Sequence, residues 1–151
     1  MAFDIRDSLV VLQGHIAESG YAHRIQIGEP DQPPSELIMA ALYMRSSVVN
    51  RLMADGATEE THTCVIRFHM DFKLEPAEEI EFRLAKAASE VSSAIIADFT
   101  LGGTVREVDV GGMRGQPLRV DYGHVTIQQM MFRTAEIVIS MNVDGSATAA
   151  P

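Results

Sequence analysis

The hydrophobic period of the sequence changes abruptly near residue 75, and this change constrains the fold more than any other feature. Residues 61–72 alternate between apolar and polar side chains, which is typical of a strand with one buried face. In residues 76–98 the apolar side chains recur every three or four positions, which predicts a helix. The predicted strand buries Cys64, Ile66, Phe68, Met70 and Phe72, and the predicted helix buries Ile80, Leu84, Ala87, Val91 and Ile95.

A second helix and a short strand are expected near the N-terminus. Residues 3–19 carry an apolar stripe at helical spacing, Asp4 is suited to cap this helix and Gly20 to end it. Residues 21–27 alternate and predict a strand with one wet face. The following segment, 28–34, contains three prolines and is therefore a loop. The stripe of the helix consists of Ile5, Leu9, Leu12 and Ile16.

Residues 35–53 fit two structures equally well on local grounds. Ser35 followed by an apolar run is typical of a capped helix, whereas Leu37 to Met44 is short enough for a buried strand. The serines and valines of 46–49 favour extended structure. Asp55-Gly56 then marks a turn.

The C-terminal third is rich in strand patterns. Residues 104–110 indicate a short strand, 111–117 a glycine-rich loop, and 118–127 and 131–143 two long strands joined at Gln128-Gln129. Gly123 lies where the apolar parity of its strand switches, so a bulge is expected there. Residues 145–151 are small and predict a flexible tail after a single domain over 1–144.

The order of elements predicts an α+β fold, with a mainly antiparallel sheet packed against an N-terminal helix and one long central helix. The formal net charge of −9 and the lack of a basic run argue against nucleic-acid binding as the main task. Cys64 is the single cysteine, so no intramolecular disulfide is expected. Because charges run through the first thirty residues and no long apolar run occurs, we expect a protein of the cytosol without a membrane segment.

No catalytic, cofactor or metal site is predicted. His62 and Cys64 share a strand face, but a zinc site needs further ligands, and a buried thiol is the better interpretation. No serine lies in a Gly-x-Ser-x-Gly elbow, and the Gly102-Gly103 pair follows a helix instead of opening one. Paired acids are not expected either, because carboxylates on a hairpin and at a helix start are mostly solvated. These carboxylates are Glu59, Glu60, Glu75, Glu78, Glu79 and Glu81. The chain is therefore expected not to be an enzyme.

Surface contacts remain as the expected source of function. A hairpin over residues 48–60 would project as an arm, and its apolar residues have no obvious core to face. Methionine is suited to adaptable contact surfaces. The candidate subunit-interface residues are Met44, Val48, Leu52, Met53, Met113 and Arg114.

Several short motifs, spread in order over residues 3–144, point to one protein family. They are Gly28-Glu29-Pro30, Glu75-Pro76, 97–103, 108–115, 122–127 and Phe132-Arg133. In these motifs the chain resembles the tail terminator (tail completion) proteins of long-tailed, siphovirus-type phages. It departs from the family at His124, where an aromatic residue is common, and at Gln128-Gln129, where a glycine is common.

The resemblance implies a virion structural protein, made in the host cytoplasm, that forms a homo-oligomeric ring, typically a hexamer. The ring would cap the head-proximal end of the tail tube, end tube growth and join the tail to the head. Its partners would be itself, the tail tube protein and a head-closure or neck protein. Genome DNA would pass through the lumen without specific binding, along an acidic wall. The resemblance also implies strands over residues 36–53.

Two alternatives stay open at the level of the sequence. The first is another head–tail connector, either a head-closure or an adaptor protein. The second is a small ligand-binding or enzymatic α+β domain, which would need a deep pocket with convergent polar groups.

Overall fold

The computed structural model describes residues 3–34, 37–73 and 76–146, apart from the side chain of Ser146. Its elements are α1 (Arg6–Ser19), β1 (Arg24–Ile27), β2 (Met39–Leu52), β3 (Ala57–Asp71), α2 (Ala77–Ala97), β4 (Glu107–Val108), β5 (Arg119–Ile127) and β6 (Met130–Ser146). One sheet holds the strands in the order β1-β2-β3-β6, and both β4 and β5 pair with the outer edge of β6. Only the β1–β2 pair is parallel. The α+β class, the mainly antiparallel sheet and the two helices are confirmed.

The strand interpretation of residues 36–53 is confirmed for Met39–Leu52. The first residues of β2 lie between β1 and β3, and they are buried on both faces of the sheet. A central strand of this kind has a continuous apolar run, so its local pattern resembles that of a buried helix. Ser35, which suggested a helix cap, lies outside the described residues.

Both helices pack on one face of the sheet, which we call the helix face. The largest fully buried side chains there come from α1, α2, β2, β3 and β6, and they form one continuous core. The predicted stripes of both helices are in this core, with Ile5 at its margin. The core includes Leu12, Ile16, Leu42, Ile66, Phe68, Met70, Ile80, Leu84, Val91, Ile95 and Ile137.

The opposite face of the sheet is also partly covered. The proline-rich segment reaches the β5–β6 turn, where Gln128 donates a hydrogen bond to the carbonyl of Asp31 at 3.0 Å. Val65, which breaks the alternation of its strand, is buried on this face beside its cross-strand partner Val138. A second covered face explains why the alternation of β3 is incomplete.

Three local predictions need correction. Asp4 does not cap α1; Ile5 occupies the N-cap position, and the Asp4 carboxylate accepts the N–H of Arg6 at 2.9 Å. Pro76 immediately precedes α2 and is not its first residue. No bulge occurs at Gly123, because β5 pairs with β6 without interruption. The apolar residues before and after Gly123 therefore face opposite sides of the sheet. Other parts of the chain cover at least part of both sides.

The β5–β6 turn has an unusual backbone for its residues. Gln128 and Gln129 have φ values of 47° and 69°. Two consecutive left-handed residues form the two-residue hairpin turn that glycine and asparagine favour. The glycine expected from the family pattern is thus replaced by residues that carry a side chain in the same conformation.

The end of α1 agrees with the predicted boundary, whereas β6 ends later in the chain than predicted. Gly20 ends α1 in the left-handed conformation, with φ of 75°, as expected. β6 continues to Ser146, so Gly145 belongs to the sheet and pairs with Thr58. Residues 147–151 of the predicted tail and Glu75 of the family motif lie outside the described residues.

His69 makes the stability of this fold depend on pH. Its ring is 1% exposed on the face opposite the helices, and Nδ1 lies 3.3 Å from the carbonyl of Met39. Burial lowers the pKa of His69 from 6.5 to about 4. Between these two values the unfolded chain binds a proton that the folded chain does not. The free energy of unfolding therefore falls as the pH decreases through this window.

We expect His69→Phe to reduce this pH dependence. The imidazole should account for a loss of roughly 2 kcal/mol in the free energy of unfolding between pH 7.5 and pH 5. Urea unfolding at the two pH values measures the loss. His124→Phe, at an exposed position, is the matched control and should keep the wild-type dependence. Equal pH dependence in the two variants would contradict the role of His69.

Candidate functional site

The β2–β3 hairpin forms an arm, which we define as residues 45–60. Every residue of β2 from Arg45 to Leu52 is exposed. β1 pairs with β2 only as far as Leu42, and no described strand pairs with the outer edge of β2 beyond it. The arm therefore combines an open strand edge with exposed side chains. Both features are typical of contact surfaces.

Register shifts between Met44 and Ser46 and between Val49 and Arg51 divide the arm. Each shift inserts an extra residue into β2, which bends and twists an edge strand. After these shifts Leu52 pairs with Thr58 on the helix face, whereas Val48 pairs with Thr61 on the opposite face. The arm therefore presents apolar side chains on both of its sides.

The predicted interface residues of the arm fall into two groups. Val48 and Leu52 are 52% and 65% exposed, so they are available for contacts. Met53 is half-buried at the tip, where its N–H donates to the carbonyl of Ala57 at 2.8 Å. Met44 is half-buried against the core, so it supports the start of the arm more than it extends the surface.

The glycine-rich loop carries the other two predicted residues to the same region. The buried Asp109 carboxylate accepts the backbone N–H groups of Met113 at 2.7 Å and Arg114 at 2.9 Å, which closes the loop. The Arg114 guanidinium then pairs with Glu59 of the arm, while the Met113 side chain is 88% exposed. Arg106 also reaches Glu59, at 3.6 Å. The sequence did not show that ion pairs join this loop to the arm.

A buried polar network lies on the helix face of the arm. Ser47 Oγ is 2.7 Å from His62 Nδ1, and His62 Nε2 is 3.2 Å from Glu60 Oε1. The Thr58 hydroxyl donates to Glu60 Oε2 at 2.6 Å. The expectation that Glu60 is solvated is wrong, because its side chain is 1% exposed. His62 is also buried, whereas Ser47 is exposed. Both oxygens of the buried carboxylate are therefore hydrogen-bonded, as burial of a charge requires.

Sequence reasoning missed this network because it depends on the register of the hairpin. Glu60 and His62 are two apart on a strand, so their common face was visible. An unshifted register continuing from Met44 opposite Cys64 would place Ser47 opposite Thr61. The shift after Met44 moves Ser47 opposite His62 instead. A bulge in an exposed edge strand has no clear signature in these residues.

The expectation for Cys64 is met in its burial. Its side chain is fully enclosed, and burial raises the pKa of the thiol to about 12. A thiol with such a pKa is a poor nucleophile and a poor metal ligand at neutral pH. Within the described parts of the chain, no group of three His, Cys, Asp or Glu residues is arranged to hold a metal ion.

An apolar groove of about 480 Å³ lies at the other end of β3. Phe72, which was predicted to be buried, is exposed just after β3 and stacks on His124 with ring centroids 5.3 Å apart. Exposed Met130 and Met131 complete the apolar lining. The 15 residues of β3 separate this groove from the tip of the arm. At about 3.3 Å per residue the separation is roughly 45 Å. The molecule thus exposes apolar side chains at opposite ends of β3.

Comparison with protein-family models gives no match, and comparison with curated protein sequences gives none either. Neither described helix is long and apolar enough to cross a membrane.

The network makes Gly145 intolerant of a side chain. A Cβ atom at Gly145 would overlap Glu60 Oε2 and would lie 2.8 Å from Thr58 Oγ1. We expect Gly145→Ala to lower the free energy of unfolding by about 1–3 kcal/mol, because the carboxylate must move from its hydrogen-bond partners. Chemical denaturation measures this change.

The matched control for this substitution is Gly14→Ala in α1, where a new Cβ meets nothing within 4 Å. We expect this control to raise stability by about 0.5–1 kcal/mol, because alanine restricts the unfolded chain and favours helix. A Gly145→Ala protein as stable as wild type would show that the network is looser than described.

Proposed function

We propose that this chain is a structural subunit that assembles into a ring, of the kind formed by tail terminator proteins at the head-proximal end of a phage tail tube. The observation that carries the proposal is the arm, with its open edge and the exposed Val48 and Leu52. The motifs that resemble the tail terminator family supply the biological setting. The ring is expected to be hexameric and to end tube growth.

The positions of the two apolar surfaces favour a ring over a two-fold dimer. When a surface at one end of a molecule binds a different surface at the other end, each copy can bind two neighbours. Such heterologous contacts close into a ring if the rotation between neighbours allows it. The arm and the groove around Phe72 are suited to these two roles, because they lie at opposite ends of β3.

The expected strength of one such contact is low. Burying one valine or leucine side chain contributes about 1.5–3 kcal/mol. A few such side chains on the arm are comparable with the ~4–15 kcal/mol cost of association. We therefore expect the ring to form cooperatively, with the end of a tail tube as a template. The tube protein and a head-closure protein are the proposed partners.

The charge of the chain supports passage of DNA through the ring without specific binding. The formal net charge is −9, and a surface with this sign repels phosphate groups. In the proposed virion, the acidic surface would line part of the channel. We place the protein in the neck region of the particle, after synthesis in the host cytoplasm.

We expect charged residues on the arm to abolish assembly without unfolding the chain. Val48→Glu combined with Leu52→Glu places two carboxylates in the proposed contact, where burial would be costly. Light scattering and electron microscopy with tail tubes measure ring formation and capping. Val10→Glu is the matched control, since Val10 is 55% exposed and belongs to α1 instead of the arm. Tube capping by the arm variant at the wild-type level would overturn the proposal.

Cross-linking distinguishes the proposed terminator from another neck protein. A terminator should cross-link to tail tube protein, whereas a head-closure or adaptor protein should cross-link to the portal. Cross-links to the portal alone would replace the terminator assignment with an adaptor assignment and leave ring formation intact.

A further inference from the structure

Ser47, His62 and Glu60 are arranged in the order of a nucleophile, a base and a carboxylate. The hydroxyl of Ser47 lies 2.7 Å from one imidazole nitrogen of His62, and Glu60 lies 3.2 Å from the other. Nucleophilic catalysis by serine requires a base within hydrogen-bond reach of the hydroxyl and a third group that orients the base. These three residues satisfy that geometric requirement.

The buried carboxylate determines which nitrogen of His62 can accept a proton. Glu60 Oε2 is occupied by the hydroxyl of Thr58, so Oε1 requires a donor from His62. A neutral imidazole carries its proton on one nitrogen only. In the tautomer of His62 that donates Nε2–H to Glu60, Nδ1 is left as an acceptor that faces Ser47. After proton transfer, the imidazolium would lie beside the carboxylate, which stabilises it.

Exposure to solvent increases from Glu60 to Ser47, as a reactive site needs, because a substrate must reach the hydroxyl. Glu60 is enclosed, His62 is buried and Ser47 is open to solvent. The ring of Phe3 packs against the imidazole with centroids 4.8 Å apart, which helps to hold its orientation. Thr58 and His62 are enough to give each oxygen of the Glu60 carboxylate a hydrogen-bond partner.

The open edge of β2 offers donors for the negative charge that develops on a carbonyl oxygen. Successive residues of a strand direct their N–H groups to opposite edges. No described strand covers the outer edge of β2 beyond Leu42. Either the N–H group of Ser47 or the N–H groups of its two neighbours therefore face solvent. Backbone donors of this kind stabilise the oxyanion in acyl transfer.

We infer that Ser47 is a nucleophile that reacts with esters of small carboxylic acids, with His62 as its general base and Glu60 as the positioning residue. The Ser47 oxygen attacks the carbonyl carbon while its proton moves to His62 Nδ1. The bond to the leaving alcohol then breaks, and this oxygen takes the proton. Water, deprotonated by His62, releases the acid and restores the hydroxyl. The acyl group would lie beside Val49, which is 45% exposed on the same face of the arm.

The test uses the full chain at a concentration where light scattering shows one species. The chain is incubated with a fluorophosphonate, which labels activated serines, and with p-nitrophenyl acetate, whose product is coloured. Peptide mapping then compares Ser47 with Ser46 in the same molecules. Ser46 is also exposed on the same strand but pairs with Thr63. We expect labelling of Ser47 to be at least tenfold faster than that of Ser46.

Two variants assign the roles of the residues. His62→Gln should slow Ser47 labelling and ester turnover by about 100-fold or more, because general-base assistance contributes about 10²–10⁴-fold. Ser46→Ala should leave both rates unchanged. Equal labelling of Ser46 and Ser47 in the wild-type chain would overturn the inference, whether or not the His62 variant folds. Labelling of Ser47 that survives His62→Gln in a folded protein would also overturn it.

Discussion

Pairing of β3 with two neighbours is the interaction on which the rest of the structure depends. β3 pairs with β6 along its whole length, from Ala57 to Asp71, and with β2 along most of it. The apolar face of β3 supports α2, and α1 packs against α2 and against β1 and β2. Because the end of β6 pairs with Thr58, it braces the arm from the side opposite β2. The arm can therefore expose apolar residues without a core of its own.

Burial along β3 decides which chemistry each part of the strand can support. Near Phe68 the helices exclude water, and only apolar side chains pack there. Toward the arm the helix layer ends, and polar residues become possible if they are paired. Glu60 and His62 occupy this transition, where they are buried but adjacent to the exposed Ser47. The polar network and the proposed contact surface are neighbours because both begin where the core stops.

The two proposals concern different properties of the same arm. Assembly depends on apolar side chains such as Val48 and Leu52, which act through the area that they bury. Serine reactivity depends on a few hydrogen bonds whose lengths and directions must be maintained. Loss of one property leaves the other intact, because no residue of the network supplies the exposed apolar surface.

The sequence alone determined the helices, most of the strands and the exposed character of the arm. Helical periodicity placed α2 within one residue of its observed start, because both stripe and boundary signals lie within the helix itself. For Met39–Leu52 the local pattern fitted a helix and a strand equally, and only the family resemblance favoured the strand that the fold contains. The absence of a bulge at Gly123 and the contact of Ser47 with His62 became visible only in the folded chain. These features depend on which surfaces cover a strand and on the register between strands. Both arise from contacts between distant residues, which local patterns do not encode.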